Sequence, residues 1–448
     1  MRLGGRAAAA AEVLREVLDR GRPASAALSD WGKAHRFAGS GDRAAIGNLV
    51  YDVLRRRTSL GLRAGTDDPA HMAVAALVDI WQIAPAALED QFAGDTHAPN
   101  NLASDFFSQL TQAIDPGALE VSAARADLPD WLWDDFADTF GDDALAEAEG
   151  LRQRAPLDLR VNTLKSDRQA VLKALHRSGF TDAAAGALAD TAIRIAPPAG
   201  PGRTPNVQAD AAFQRGLFEV QDEGSQIVGQ LVFAQPGEQV LDICAGAGGK
   251  TLSLAAQMAN AGQVFAFDVD RTRLAPIFDR VTRAGAHNVQ VRQPRVRGAG
   301  NDSRADDPFA ALRDLEGRMH RVVIDAPCTG SGVWRRRPDA KWKLTPAALE
   351  KRLHEQRGLL ASARDFVRPG GYLCYITCSI LTAENEGQIV PFLADNPDFE
   401  LVSCEEVWRD LFGMDAPQPW SSDAMSVTLT PTSTGTDGFY FAVMQRTS

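Results

Sequence analysis

Cysteine is scarce in this chain: five occur among 448 residues, at 244, 328, 374, 378 and 404. A count that small, odd and scattered argues against a disulfide framework in so long a protein. There is no CxxC pair and no HxxxH spacing, so the usual zinc signatures are missing and no metal is expected. Long apolar runs are missing too; none nears the ~20 residues that a membrane-spanning helix needs. The opening MRLGGRAAAAAEVLREVLDRG is basic and alanine-rich, but Glu12, Arg15 and Glu16 interrupt any signal-peptide core. A cytoplasmic location with no membrane partner is therefore expected. Net positive charge is also lacking. The formal charge is −11, which alone argues against a nucleic-acid partner, although a global sum can hide a local basic patch.

What is present is a globular composition, 45% hydrophobic, in a chain too long for one ordinary core. Domains of ~100–200 residues imply two or three units. Residues 1–140 read as helical. Ala10, Val13, Leu14, Val17 and Leu18 fall at i, i+3, i+4, i+7 and i+8, and Ile46, Leu49, Val50, Val53 and Leu54 repeat the pattern. Gly21 and Pro23 supply a stop. Asp42 is placed to cap the second helix, and Arg55 to Arg57 suit its negative end. Residues 141–215 read as a small α/β connector, with LDLRVNTLK as a strand, RQAVLKALHRSG as a helix and APPAGPGRTP (196–205) as a loop. From 216 to 448 short apolar strands alternate with helices. QVLDI, VFAFD, RVVID and GYLCYIT are the strands, and the rhythm predicts a parallel sheet covered on both faces. DGFYFAVMQR is expected to add late strands, and RQPRVRGAGNDSRADDP (292–308) an irregular insertion.

One loop in this last region has the form of a ligand cradle. LDICAGAGGKT (241–251) follows a strand and opens a helix, the place where doubly wound sheets bind ligands. Three ligands compete for it. A nucleotide P-loop needs GxxxxGK[ST], but Cys244 stands where its first glycine belongs. A dinucleotide site needs GxGxxG, and Thr251 replaces the third glycine. The third is S-adenosylmethionine, whose carboxylate would meet the loop amides. Asp268, ending VFAFD about twenty residues on, suits ribose hydroxyls in either of the last two cases. A tight turn with no ligand is the bland alternative.

Two cysteines also sit where strands end, Cys328 after VVIDAP and Cys378 after YLCYIT. A cysteine in an apolar run is more often core, and Cys244, Cys374 and Cys404 keep that or a neutral reading. Cys328 and Cys378 differ because turn-forming and polar residues surround them. Pairing a methyl donor with a thiol suggests one chemistry. Carbon 5 of cytosine is not nucleophilic until a thiolate adds at carbon 6. A second thiol would assist release of the adduct, and Asp325 would hydrogen bond the ring edge. The ring must be single-stranded or flipped out. VWRRRPDAKWK (333–343) then offers Arg335, Arg336, Arg337, Lys341 and Lys343 for phosphates and Trp342 for stacking; a solvated charged loop is the plainer alternative.

Taken together, these motifs resemble the RsmB/Sun family of RNA (cytosine-5) methyltransferases over most of the chain. DICAGAGGKT is similar to the family's cofactor loop, usually CAAPGGKT, with Gly246-Ala247 in place of Ala-Pro. DAPCTGSG and TCS resemble its two cysteine motifs, RRRPDAKW the segment after the first, and LRVNTLK and FEVQDEGSQ its connecting segment. GDRAAIGNLVYDVLRR resembles a NusB-like helical RNA-binding domain. The resemblance implies an all-α NusB-like domain, a small α/β connector and a Rossmann-like methyltransferase domain. It implies Cys378 as nucleophile, Cys328 in product release and Asp325 at the target base or reacting centre. It assigns S-adenosylmethionine to Cys244, Ala245, Gly246, Ala247, Gly248, Gly249, Lys250, Asp268 and Asp325. A cytosine of small-subunit ribosomal RNA is the implied substrate and a monomer is expected. The family often has an acid after the third strand, near the adenine; here that region is VQVRQPRVRG, with Asp302 and Asp306 further on. Transfer RNA as substrate, or a non-catalytic RNA-binding assembly factor, are the rival readings. An NAD enzyme would leave both thiols without a task.

Overall fold

A computed structural model describes residues 1–103, 105–112, 122–294, 307–421 and 424–447. Most of the expected insertion, with Asp302 and Asp306, lies outside the described residues. The chain forms two compact units, one of Met1–Ala155, Pro197–Pro205 and Val333–Leu344, the other of Pro156–Ala196, Asn206–Gly332 and Thr345–Ser448.

The first unit is helical. The apolar stripes of helices Leu3–Leu18 and Ser40–Arg55 meet Pro69–Asp79 in one core, where Leu14, Ile46, Leu49, Val50, Val53, Leu54 and Met72 are buried. Each helix covers its stripe because positions three and four apart share a face. Asp42 is not the cap. The helix begins at Ser40, and Asp42 Oδ1 instead accepts from the Met1 ammonium and Arg6 Nε, both at 3.0 Å. The expected connector is divided. Helix Ala144–Arg152 and the loop 197–205 belong to the helical unit, where Asn48 Nδ2 donates to the Gly200 and Gly202 carbonyls.

The second unit holds two sheets. The small one consists of β1 (Leu157–Val161), β2 (Ala184–Ala185), β3 (Ala192–Ile195) and β4 (Phe218–Val220), antiparallel in the order β2-β3-β1-β4. The large one contains β5 (Gln239–Asp242), β6 (Gln263–Phe267), β7 (Val289–Arg292), β8 (Met319–Asp325), β9 (Val367–Thr377), β10 (Phe399–Val402), β11 (Val427–Leu429) and β12 (Phe439–Arg446). Its order is β10-β12-β9-β8-β5-β6-β7, with β11 beside β12. Strands β5 to β9 are mutually parallel, as the alternation predicts. The sheet as a whole is mixed, because β12 returns antiparallel along β9 and brings β10 and β11 with it.

Alternate side chains of these strands enter different cores, since successive strand residues point to opposite faces. Leu241, Phe265, Val322, Ile324 and Tyr375 pack on one side, Val240, Val264, Val323, Cys374 and Ile376 on the other. The apolar runs are thus those of strands buried on both faces. The chain runs from β5 through β6 to β7 in one direction, then resumes at β8 on the other flank of β5. That reversal is a topological switch point.

Candidate active site

Four adjacent parallel strands, β6, β5, β8 and β9, deliver the predicted groups at their carboxyl ends. Asp268 follows β6, the glycine loop follows β5, Asp325 ends β8 just before Cys328, and Cys378 follows β9. The sheet pairing keeps the last two together: Asp325 is level with Ile376, and Ala326 N donates to the Ile376 carbonyl at 2.8 Å. Beyond that register Cys328 Sγ and Cys378 Sγ approach to 3.3 Å.

Close backbone packing holds the two thiol loops in place. Gly332 N donates to the Cys378 carbonyl at 3.0 Å, and Gly438 N donates to the Gly332 carbonyl at 2.8 Å. A β-carbon on Gly332 would lie 2.1 Å from the Gly438 oxygen, so the last glycine of DAPCTGSG is required by space. Ser331 Oγ and Ser379 Oγ share a hydrogen bond of 2.8 Å, and Ser331 Oγ also accepts from Ile380 N at 2.9 Å. Thr377 Oγ1 donates to Asn385 Oδ1 at 2.7 Å. The Cys378 contact, burial and the charge of Glu384 together push the Cys328 thiol well above its usual value. The other cysteines behave as core or loop residues: Cys374 and Cys404 are buried, and Cys244 is half-buried with its thiol pushed up by desolvation.

The glycine loop is as tight as its composition implies. Gly248 has φ +89°, and a β-carbon there would lie 2.6 Å from Ile277 Cγ1. Asp268 Oδ2 accepts from Gly246 N at 2.9 Å and Oδ1 from Asp270 N at 2.8 Å, so the acid is tied to the loop. Lys250 Nζ donates to Ser225 Oγ at 2.7 Å and lies 3.4 Å from Asp325 Oδ2, which joins the glycine loop to the β8 thiol motif. Asp242 is fully buried. Its Oδ2 accepts from Thr251 Oγ1 at 2.6 Å, while Oδ1 has no partner among the described residues. Burial, then the nearby Asp325 and Asp268 charges, push Asp242 up to about 7, against the Thr251 hydrogen bond and the weaker pull of Lys250.

These groups discriminate among the three candidate ligands. Asp242, Asp268 and Asp325 make the loop's surroundings acidic, which opposes the phosphates of a nucleotide or dinucleotide. A ligand with an ammonium, a sulfonium and a ribose diol fits instead, because carboxylates suit the two cations and accept from the hydroxyls.

Outside this site the predicted RNA groove changes character. Arg335 and Lys341 are buried in the helical unit. Arg335 gives its carbonyl to Arg55 Nε at 2.8 Å, and Lys341 Nζ donates to the Arg55 carbonyl at 3.2 Å. Trp342 Nε1 donates to the Leu54 carbonyl at 2.6 Å, its ring against the helical core. These three lock the segment to helix Ser40–Arg55 rather than lining an open surface. Lys343 is half-buried, its Nζ donating to the Arg22 carbonyl at 2.7 Å and to Asp339 at 3.0 Å. Arg336 is half-buried and Arg337 exposed. Sequence reasoning placed Ser331 and Ser379 beside the thiols, but it missed Glu384 and Gln356. The one available signal was the polar TAENE following Cys378, too polar for a core strand and too acidic for a phosphate contact.

Comparison with known proteins shows what the chain as a whole is similar to. The description "16S rRNA methyltransferase RsmB/F" matches residues 230–445, and an RsmF/B-like ferredoxin-like domain matches residues 128–200. The ribosomal RNA small subunit methyltransferase B of Sodalis glossinidius is 30% identical over 463 residues, covering 97% of this chain and 96% of that protein. The probable ribosomal RNA small subunit methyltransferase B of Synechocystis is 33% identical over 325 residues, 71% of this chain and 66% of that one. Among solved structures, PH0851 aligns with a TM-score of 0.72 at 25% identity, over 99% of this chain and 100% of its own.

Proposed function

The chain belongs to the 16S rRNA methyltransferase RsmB/F family, and from that premise we propose that it methylates carbon 5 of a cytosine in small-subunit ribosomal RNA through a transient bond from Cys378. It is an S-adenosylmethionine-dependent ribosomal RNA methyltransferase. The covalent reading rests on one observation, the 3.3 Å approach of the two sulfurs at strand ends beside the cofactor loop.

Residues 244–250, Asp268 and Asp325 hold the cofactor, which when bound supplies an electrophilic methyl group. The protein's own groups prepare the base for it. The Cys378 thiolate adds to carbon 6, and the electron pair of the 5,6 double bond makes carbon 5 nucleophilic. Asp325, about a third exposed and held by Lys250, accepts a hydrogen bond from the ring's amino group and steadies the adduct. After methylation carbon 5 loses its proton to water, the carbon–sulfur bond breaks, and the electron pair returns to Cys378. The Cys328 thiol lies close enough to donate a hydrogen bond to the departing sulfur, which lowers the cost of release. The NusB-like helical unit binds RNA, with Arg336, Arg337 and Lys343 the basic residues of the segment that retain solvent contact.

Cysteine replacement tests this reading, with bisulfite sequencing of ribosomal and transfer RNA incubated with cofactor and protein. Cys378→Ala abolishes 5-methylcytosine formation while cofactor binding stays within about threefold. Cys328→Ala accumulates a protein–RNA adduct that survives denaturing electrophoresis. Normal turnover by Cys378→Ala would refute the nucleophile. Methylation confined to transfer RNA would refute the substrate.

A further inference from the structure

Glu384 follows Cys378 by six residues and is fully buried, yet the chemistry above gives it nothing to do. Its carboxylate turns toward the other thiol loop. Oε1 accepts from Thr329 N at 2.8 Å and from Gln356 Nε2 at 3.1 Å, and Oε2 accepts from Thr329 Oγ1 at 2.5 Å. Gln356 Nε2 also donates to the Pro327 carbonyl at 3.0 Å. The residues on either side of Cys328 are thus both tied to one carboxylate, directly or through Gln356. The Glu384 backbone is itself anchored, its carbonyl accepting from Tyr375 Oη at 2.8 Å. In all of these bonds Glu384 is the acceptor, the pattern of an ionised carboxylate. Burying a carboxylate away from water is costly unless its hydrogen bonds compensate, and a neutral acceptor could have closed the same turn.

Resting on the covalent reading above, we infer that Glu384 is a positioning residue that separates the roles of the two thiols, by gripping the Cys328 loop through Thr329 so that Cys328 Sγ stays beside Cys378 Sγ. Two physical consequences follow from the one carboxylate. Its bonds fix where Cys328 sits. Its charge, beside a buried thiol, opposes a second negative charge at Cys328 and keeps that sulfur a hydrogen-bond donor. Cys378 is then left as the sulfur that attacks. The ionisable groups that set this balance at Cys328 are Cys378 and Glu384; the nearby Tyr375 hydroxyl is held well above its ordinary value by burial and then by Cys328 and Glu384.

Glu384→Gln is the test, because it keeps the size and removes the charge and one acceptor oxygen. Two measurements are made on the full-length protein: steady-state methylation of RNA, and the pH dependence of iodoacetamide alkylation at each cysteine, resolved by mass spectrometry. The variant is expected to lose tenfold or more in kcat with KM for RNA within about twofold, and to accumulate the denaturation-resistant adduct as Cys328→Ala does. The midpoint pH of Cys328 alkylation falls while that of Cys378 stays. A merely structural role would raise Cys328 alkylation at every pH and leave its midpoint in place, which overturns the proposal; so does wild-type kcat. If Glu384→Gln does not fold, Thr329→Val decides: it removes only the hydroxyl bond, and a smaller drop in kcat with the same adduct supports the grip, whereas unchanged kcat refutes it. Should Cys378→Ala also be fully active, it is the covalent reading that has failed; an inactive Cys378→Ala beside a normal Glu384→Gln sinks only the positioning role.

Discussion

Two lysines, one in each unit, are almost wholly removed from water: Lys250 is 4% exposed and Lys341 2%. Their surroundings differ. Lys250 Nζ faces a carboxylate, Asp325, at 3.4 Å, with Ser225 Oγ at 2.7 Å and the Phe439 ring centroid at 5.1 Å. Lys341 Nζ donates to a backbone carbonyl and lies 4.8 Å from the Trp342 ring centroid. Burial pushes Lys341 down to about 7; Asp127 resists that shift while Arg152, Arg55 and Arg56 add to it. A buried ammonium beside a partly exposed carboxylate marks a place where charge is used. One set among arginines is a packing element that the fold holds at a cost.

The largest difference expected between them is catalytic. Lys250→Met removes the partner that fixes Asp325 and should lower methylation by ~100-fold or more, the scale seen when a charged group is lost from an active site. Lys341→Met should leave methylation within about threefold in the same assay. Equal losses in the two variants would break the comparison.

The second difference is in stability, and it is smaller. The folded state holds Lys341 at about 7 and the unfolded chain near 10.5. Below pH 7 both states are protonated and the buried charge opposes folding in full. As pH rises from 7 towards 10.5 the unfolded state binds more protons than the folded one, so stability increases. Lys341→Met should therefore be more stable than the parent at pH 6, by ~1–2 kcal/mol once ~1 kcal/mol is lost for the Arg55 carbonyl left without its donor. The advantage shrinks at pH 9, and urea unfolding at the two pH values measures it. A gain that is equal at both would show that the lysine is not held charged and buried.

This contrast also marks what the sequence could disclose. The strand-ending groups were legible because a parallel sheet puts every such end on one edge: once VFAFD, QVLDI, RVVID and GYLCYIT are read as strands, Asp268, the glycine loop, Cys328 and Cys378 must converge. The helical stripes at Val13–Leu14 and Ile46–Leu54 were legible for the same reason, since period alone fixes a face. The fate of VWRRRPDAKWK was not. Three arginines and two lysines look solvated, and only the tertiary fold reveals that Lys341 and Trp342 bond to the Arg55 and Leu54 carbonyls in the last turn of helix Ser40–Arg55. Nor was Glu384, whose partner Thr329 lies fifty-five residues away; a long-range grip leaves no periodic trace. The antiparallel course of β12 escaped for a related reason, because an apolar strand does not state its direction.

The smallest effect expected lies at Asp242, the sheet unit's counterpart to Lys341. It too titrates at about 7 in the fold, against a carboxylate's ordinary 3.8, and burial is again the main cause. The sign is reversed. Below about pH 4 both states are protonated; as pH rises from there to 7 the unfolded chain releases its proton first, so stability falls across that window and stays low above it. Asp242→Asn is neutral throughout. It keeps an acceptor for the Thr251 hydroxyl but turns an amide donor toward the place where Oδ1 lacks a partner. The variant should match the parent near pH 4 and exceed it by ~0.5–1 kcal/mol at pH 8, after the amide's own desolvation is set against the relieved charge. The same substitution should weaken S-adenosylmethionine binding by about threefold to tenfold, because it removes negative charge behind the loop that would receive the ligand's cations. Unchanged affinity with the stability gain intact would mean that the buried oxygen faces only protein, and the two buried charges would then be alike after all, each an expense of packing and neither a part of the site.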